Sequence, residues 1–351
     1  MEKYSAYRDP GTGIQPFLTA ASPQSSLLAT ILSPVRYIVG LIRLAIILLL
    51  AIFYVLFGIV FTIIPPARRV ATSAIIRAVL FSLGFFWIPT EIVSKKRGQV
   101  IEAWNPGSGD LIISNWNSWV ELLWLAYRFD PIFVLPVPES AVQPATSTPS
   151  SPISHAPGRR IGRTSMPDAS ASAKKPISQV PITGFHQVSL LTMLRETGRI
   201  RKTSNRPIVV FPECTTSNGR GLLRFADFFQ ESLPVKEFNV FIMCVRYDPP
   251  TGIFAHNNTL YPSSSLNPLP HVFTLASSLA IPALTIRLLT QSESPSSPAF
   301  IVSEVIGPSS RGELAEASAV LISQLGKFKR MTMGWEDKAR FLDFYGSKRR
   351  K

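Results

Sequence analysis

The sequence predicts an α/β protein, a sheet flanked by helices, carried behind an N-terminal membrane-anchoring helical segment. Three observations lead there. From Gln99 onward, short β-branched apolar runs alternate with segments of helical periodicity, the sequence form of an α/β layer. Residues 44–64 carry no charge and are about as long as the roughly 20 residues needed to cross a hydrocarbon core. The apolar run 207–211 ends in Pro212 and Glu213 followed by several hydroxyls, as expected of a strand reaching the ligand edge of a sheet.

Residues 1–30 mix Pro, Gly, Ser and Thr and are expected to be a flexible N-terminus. An anchor of one span or a hairpin is expected over 31–92. Arg36 and Arg43 precede the uncharged run, and Pro65, Pro66, Arg68 and Arg69 close it. A second apolar stretch, 78–89, is too short to span a bilayer at about 1.5 Å per residue. It is expected at the interface, with Phe85, Phe86 and Trp87 at headgroup depth. Basic residues on both flanks, including Lys95, Lys96 and Arg97, favour a hairpin or monotopic anchor with both ends in the cytosol; one crossing remains an alternative.

The domain proper is expected over 99–330. Its strands are read at 110–114, 132–137, 207–211, 240–247, 283–289 and 300–305. Its helices are read at 119–128, 188–197, 222–229, 271–278 and 313–329. Residues 139–178, dominated by Pro, Ser, Ala and Thr, cannot bury enough surface to offset ordering entropy and are read as a disordered insertion. Residues 291–298 read as a Ser/Pro turn between two strands, and 331–351 as a basic C-terminal tail. His256 and His271 are read as structural.

The chain has 351 residues and a formal net charge of +14, and its mean hydropathy is +0.21. Such a charge suits an anionic partner. No zinc-ligand spacing, helix-turn-helix pattern or RNA-binding aromatic pair accompanies it, so the expectation is anionic membrane lipid and no nucleic acid, with no metal site. Cys214 and Cys244 are read as reduced, not as a disulfide.

Two blocks carry the chemistry. One is Asn115-Trp-Asn-Ser-Trp-Val-Glu121, a polar turn between a strand and an apolar helix opening. The other is Phe211-Pro-Glu-Cys-Thr-Thr-Ser217. Together they resemble the glycerolipid acyltransferases, most closely the fungal lysophosphatidic acid acyltransferases that use oleoyl-CoA. The resemblance covers about residues 100–310. It implies transfer of a fatty acyl group from acyl-CoA to lysophosphatidic acid or a related lysophospholipid, on a cytosol-facing domain at the endoplasmic reticulum or lipid droplet. It implies no cofactor, with acyl-CoA as co-substrate.

In that family a His precedes Ser by two positions and an acid by five. Asn115, Ser118 and Glu121 fall on the family's positions, but Trp116 stands where the His belongs. An indole nitrogen is a donor only and accepts no proton at neutral pH. The base is then left to Glu121, to His186 in the poorly matched block 181–188, or to the substrate's own phosphate. Phe211, Pro212, Glu213, Thr215 and Ser217 agree with the second block, which binds the acceptor. Cys214 replaces a Gly, and Thr216 replaces an Arg that many phosphate-binding members carry. Arg220 and Arg224 lie close enough in sequence to supply the missing charge. A catalytically silent relative that binds lipid or acyl-CoA as a regulator or tether is the alternative.

Overall fold

The computed structural model describes residues 2–18, 31–60, 65–94, 103–138, 182–188, 193–195, 206–226, 233–248, 269–279, 284–307 and 312–349. The expected insertion at 139–178, the basic flank 95–97 and His256 lie outside them.

The chain is a mixed α/β structure with helices on both faces of the sheet. Strands β1 (Thr90–Val93), β2 (Leu111–Ser114), β3 (Ile132–Pro138), β4 (Ile182–Val188), β5 (Met193–Arg195), β6 (Ile208–Val210), β8 (Val240–Tyr247) and β9 (Leu284–Leu289) form one sheet in the order β1-β9-β8-β2-β6-β3-β4-β5. A separate pair joins β7 (Gly221–Leu222) to β10 (Lys329–Arg330) in parallel. The centre, β8-β2-β6-β3, is parallel, so the carboxyl ends of its strands share one edge. Antiparallel β4 and β9 flank it. Ligand sites in open parallel sheets lie at that carboxyl edge.

Strand alternation divides the core in two. Ile112, Val209, Phe241, Met243 and Val245 face one side, beneath α2 (Pro65–Ser82), α3 (Val120–Phe129) and α4 (Leu269–Ala276). Leu111, Ile113, Ile208, Val210, Ile242 and Cys244 face the other, against α5 (Glu313–Gly326). Both cysteines are free, as expected.

One helix, α1 (Ser33–Val60), contains a stretch, Ser33–Gly58, long and apolar enough to cross a membrane. It begins earlier than the uncharged run, because Arg36 and Arg43 are accommodated within it. Gly40 lets it approach α4 closely: a Cβ there would lie 2.9 Å from the Ser277 Cβ. Arg43 Nη1 donates to the carbonyls of Ala276 and Ser278 at 3.2 and 2.8 Å, satisfying acceptors that the end of α4 leaves open. The opposite face of α1, including Ile38, Leu41, Leu49, Ile52 and Leu56, is exposed.

Several expectations are overturned. Where it is described, the helix expected at 188–197 is strand: Val188 ends β4 and Met193–Arg195 forms β5, paired antiparallel to it. The helix expected at 222–229 is absent through Ala226. Leu222 and Phe225 enter the α5-side core while Leu223 enters a third cluster; Gly221–Leu222 is strand β7 and residues 223–226 form no regular element. The strand expected at 300–305 is a 3-10 turn at Val302–Glu304, since both edges of β9 are already occupied by β8 and β1. The polar segment 291–298 therefore joins no second strand; Ser296 Oγ instead accepts the Val240 N–H at 2.9 Å. Phe85 is only 1 % exposed, not at a lipid surface, whereas Trp87 is 80 % exposed.

Both termini depart from expectation too. Residues 2–18 are docked, and the basic tail forms α6 (Trp335–Arg349). Phe17, Leu223, Met331, Met333 and Phe341 build the third cluster, with Tyr4 and Tyr7 against it. Asp9 is buried and accepts from the N–H and hydroxyl of Thr332 at 2.9 and 2.6 Å. A few well-placed aromatic and carboxylate contacts thus tie down segments that have little apolar periodicity.

Candidate active site

The two sequence blocks meet at the carboxyl edge, where β2 and β6 end side by side. Glu213 Oε1 accepts the Trp116 N–H at 3.0 Å, and Oε2 accepts the Leu223 N–H at 3.3 Å. Ser217 N donates to the Trp116 carbonyl at 3.1 Å, and Ser217 Oγ donates to Asn117 Oδ1 at 3.1 Å. Phe211 and Trp116 stack, with centroids 5.2 Å apart and planes at 29°. Every strut between the blocks therefore passes through Trp116, Asn117, Glu213 or Ser217.

Asn115 and Glu121 of the first block are committed to the backbone. Asn115 binds Val245 on both sides: its Nδ2 donates to the carbonyl at 2.9 Å and its Oδ1 accepts the N–H at 2.7 Å. It thereby extends the β2–β8 pairing one step past Ser114. Asn117 Nδ2 donates to the same carbonyl at 3.1 Å. Glu121, in the first turn of α3, reaches back to accept the Asn117 and Ser118 N–H groups at 3.1 Å, orphan donors that a helix start must satisfy. It is wholly buried, and burial pushes its carboxyl well above the usual range, with the Glu213 charge adding to the rise. Ser118 is also fully buried. Trp119 Nε1 donates to His271 Nδ1 at 2.9 Å, which gives His271 a structural partner.

In the second block, Cys214 adopts φ 55°, a left-handed conformation that glycine holds without strain. Burial pushes its thiol up, so it is no ready nucleophile. Thr215 and Thr216 are half-buried, and Pro212 is buried. Arg220 is exposed. Arg224 is spent elsewhere, on Glu336 at 3.2 Å and the Thr332 carbonyl at 3.2 Å. His186 lies in β4, where the described part is its backbone, opposite Leu135 and Arg195. Between β4 and β2 in the sheet stand β3 and β6.

Four participants were not singled out by sequence reasoning. Lys338, from α6, donates from Nζ to the carbonyl and the hydroxyl of Thr216, both at 2.6 Å. Asn218 ties the loop to the N-terminal segment: its N–H donates to the Pro16 carbonyl, and its Nδ2 to the Gln15 and Leu18 carbonyls. Asn117 links the blocks. Tyr247, at the end of β8, sits against Ser118 and Glu121 without completing a well-directed hydrogen bond. Burial and the Glu121 charge push its phenol well above its ordinary value. Asn117 and Tyr247 carry a signal, a polar side chain at a strand's carboxyl end. Lys338 and the partners of Asn218 carry none.

Glu213 and Lys338 share one electrostatic environment. Burial raises the Glu213 carboxyl to about 8, and burial lowers the Lys338 ammonium to about 8, each opposed by the other's charge. A carboxyl raised in the fold destabilises it increasingly as pH climbs from its unfolded value near 4.5 through 8. A lysine lowered in the fold destabilises it increasingly as pH falls from 10.5 through 8. Stability from this pair should therefore fall between pH 5 and 8 and recover toward 10.5. Melting temperatures across that range will show the dip, and Glu213→Gln will remove its acidic limb. An unchanged profile in the variant would contradict the assignment.

A second feature adjoins the block from the α1 side. Ile47, Leu50 and Tyr54 of α1, Ile76 and Val79 of α2, and Trp119 and Leu123 line a cavity of about 230 Å³ with no polar surface. Among the described residues, no group of His, Cys, Asp and Glu is arranged to hold a metal. No family model, curated protein or solved structure matches the chain.

Proposed function

We propose that the chain is a membrane-bound acyltransferase that moves a fatty acyl group from acyl-CoA to lysophosphatidic acid, or a related lysophospholipid, forming phosphatidic acid in glycerolipid synthesis. The observation that carries this reading is the junction of the two blocks through Glu213 and Trp116, at the carboxyl edge of a parallel sheet and beneath an exposed apolar helix. In this reading the half-buried Thr215 and Thr216, with the Lys338 ammonium held against Thr216, offer hydroxyls and positive charge to the acceptor. The apolar cavity under α1, bounded by Trp119 at the head of α3, suits an acyl chain.

In the transfer, the acceptor hydroxyl attacks the thioester carbonyl. A C–O bond forms, the oxyanion collapses, the C–S bond breaks, and coenzyme A leaves as the thiolate that takes up the hydroxyl's proton. The step is redox-neutral and calls for no further cofactor. Glu121 is a poor base, because both oxygens already hold backbone N–H groups and no surface of it is exposed. The proton is then relayed by the acceptor's phosphate, since β4, which carries His186, lies three strands from β2, and Glu121 shapes the turn that carries Trp116.

The anchor reading is monotopic, with the domain on the cytosolic side of the endoplasmic reticulum or lipid droplet. It is supported by the contacts of Tyr37, Gly40 and Arg43 with α4 and of Tyr54 with the α2–α3 cavity, which hold α1 along the domain instead of projecting it away. A catalytically silent lipid-binding relative is the second reading, favoured by Trp116 standing where the resembling family has its imidazole. The deciding assay follows conversion of lysophosphatidic acid and oleoyl-CoA to phosphatidic acid by detergent-purified protein. Product formation is expected; its absence with several lysophospholipid acceptors would move the assignment to the silent relative.

A further inference from the structure

Away from the block junction, a cleft of about 180 Å³ opens between the C-terminal half of α2, the turn after it and α3. We propose that this cleft holds the anionic headgroup of a membrane phospholipid, with Arg128 as the cation that contacts it and Trp87 as its lipid-side wall. The inference stands apart from the acyl-transfer reading.

Charge is the first ground. Arg77 and Arg128 both line the cleft. Arg77 holds the turn, donating to the carbonyls of Phe85 and Phe86 at 3.0 and 2.6 Å, with its guanidinium 5.9 Å from the Tyr127 ring centroid. Neutral carbonyls leave its charge uncancelled. Arg128, in the last turn of α3, is exposed and has no ion-pair partner among the described residues. The nearby carboxylates are engaged elsewhere. Asp130 pairs with Arg206 at 3.3 Å and also feels Arg68 and Arg69. Glu91 pairs with Arg287 at 3.2 Å. Helix α2 carries three arginines and no acid.

Surroundings decide the class of anion. Trp87 stands 80 % exposed on the cleft, and Phe81 and Phe86 are exposed beside it, packed edge to face with centroids 4.8 Å apart. Exposed aromatic rings next to uncompensated guanidinium groups, on the same helical layer as the lipid-like face of α1, fit the boundary between headgroups and hydrocarbon. A nucleic acid or a free anion gives no reason for that apolar rim.

The test titrates full-length protein in detergent with dihexanoyl phosphatidylglycerol and dihexanoyl phosphatidylcholine, read by tryptophan fluorescence. Phosphatidylglycerol is neither acceptor nor product of the proposed transfer, so failure of either idea leaves the other untouched. Phosphatidylglycerol is expected to bind roughly fivefold more tightly or better, the worth of about one basic residue at an anionic surface. Arg128→Gln should abolish that preference without changing the melting temperature, and Trp87→Phe should remove most of the fluorescence response. Equal affinity for the two lipids, or a preference that survives Arg128→Gln, would overturn the proposal. Displacement by equimolar inorganic phosphate would also overturn it, by showing a free-anion site.

Discussion

Glu213→Ala will reduce phosphatidic acid formation by about 10²-fold or more. Two losses combine. The Trp116 and Leu223 N–H groups lose the side-chain acceptor they have among the described residues, inside a site where Glu213 has no exposed surface, at roughly 1–3 kcal/mol for each orphaned donor. The two blocks also lose the strut that sets their separation, and a misplacement of about 1 Å in a catalytic constellation costs on the order of 10²-fold. Glu213→Gln separates these effects. With its carboxyl raised to about 8, the native side chain is largely neutral at pH 7 and the amide matches it in charge. The amide NH2 cannot accept one of the two N–H groups, so Glu213→Gln should fold with a stability loss of about 1–3 kcal/mol, that of a single orphaned donor. If Glu213→Gln still transfers acyl groups at the parent rate on both sides of pH 8, the Glu213 charge has no part in the reaction. If Glu213→Ala also retains full rate, the block junction is not the active site.

How much of this was legible in the sequence depends on whether an element announces itself locally. Strands β2, β6 and β8 are dense runs of Leu, Ile, Val and Phe, buried on both faces, so their apolar signal is continuous and their ends fall near polar residues. The strand-edge position of Glu213 was readable for that reason, and so was α1, from its unbroken apolar length. The stretch after Gly221 was misread because Leu222, Leu223 and Phe225 look like a helical cluster while serving two different cores in non-helical backbone. The terminal clasp was invisible. Phe17 and Phe341 are single aromatic residues among polar ones, and the Asp9–Thr332 and Lys338–Thr216 bonds join residues far apart in sequence. The role of Glu121 could not be inferred either. Its spacing fits an acid that orients a base, and only the hydrogen bonds reveal that it closes the turn instead.

Trp116→His is the sharper experiment, because the two functional readings demand opposite signs. Trp116 is not an idle substitution in the fold. Its ring stacks on Phe211 and packs against the α2–α3 core, its N–H is held by Glu213, and its carbonyl receives Ser217. An imidazole keeps both backbone bonds but fills less of the space, losing an aromatic contact worth about 0.5–1.5 kcal/mol beyond burial. It also finds no free carboxylate oxygen on Glu121 to hold its tautomer, since both oxygens accept backbone N–H groups. An enzyme built around the indole should therefore lose transfer activity in Trp116→His, by about tenfold or more, with a lower melting temperature. A silent relative that merely lacks its base should gain activity from zero, because one positioned general base contributes about 10²–10⁴. Loss supports acyl transfer without a histidine at this position; gain would show that the remaining site is intact and that the natural chain uses it to bind lipid without reacting.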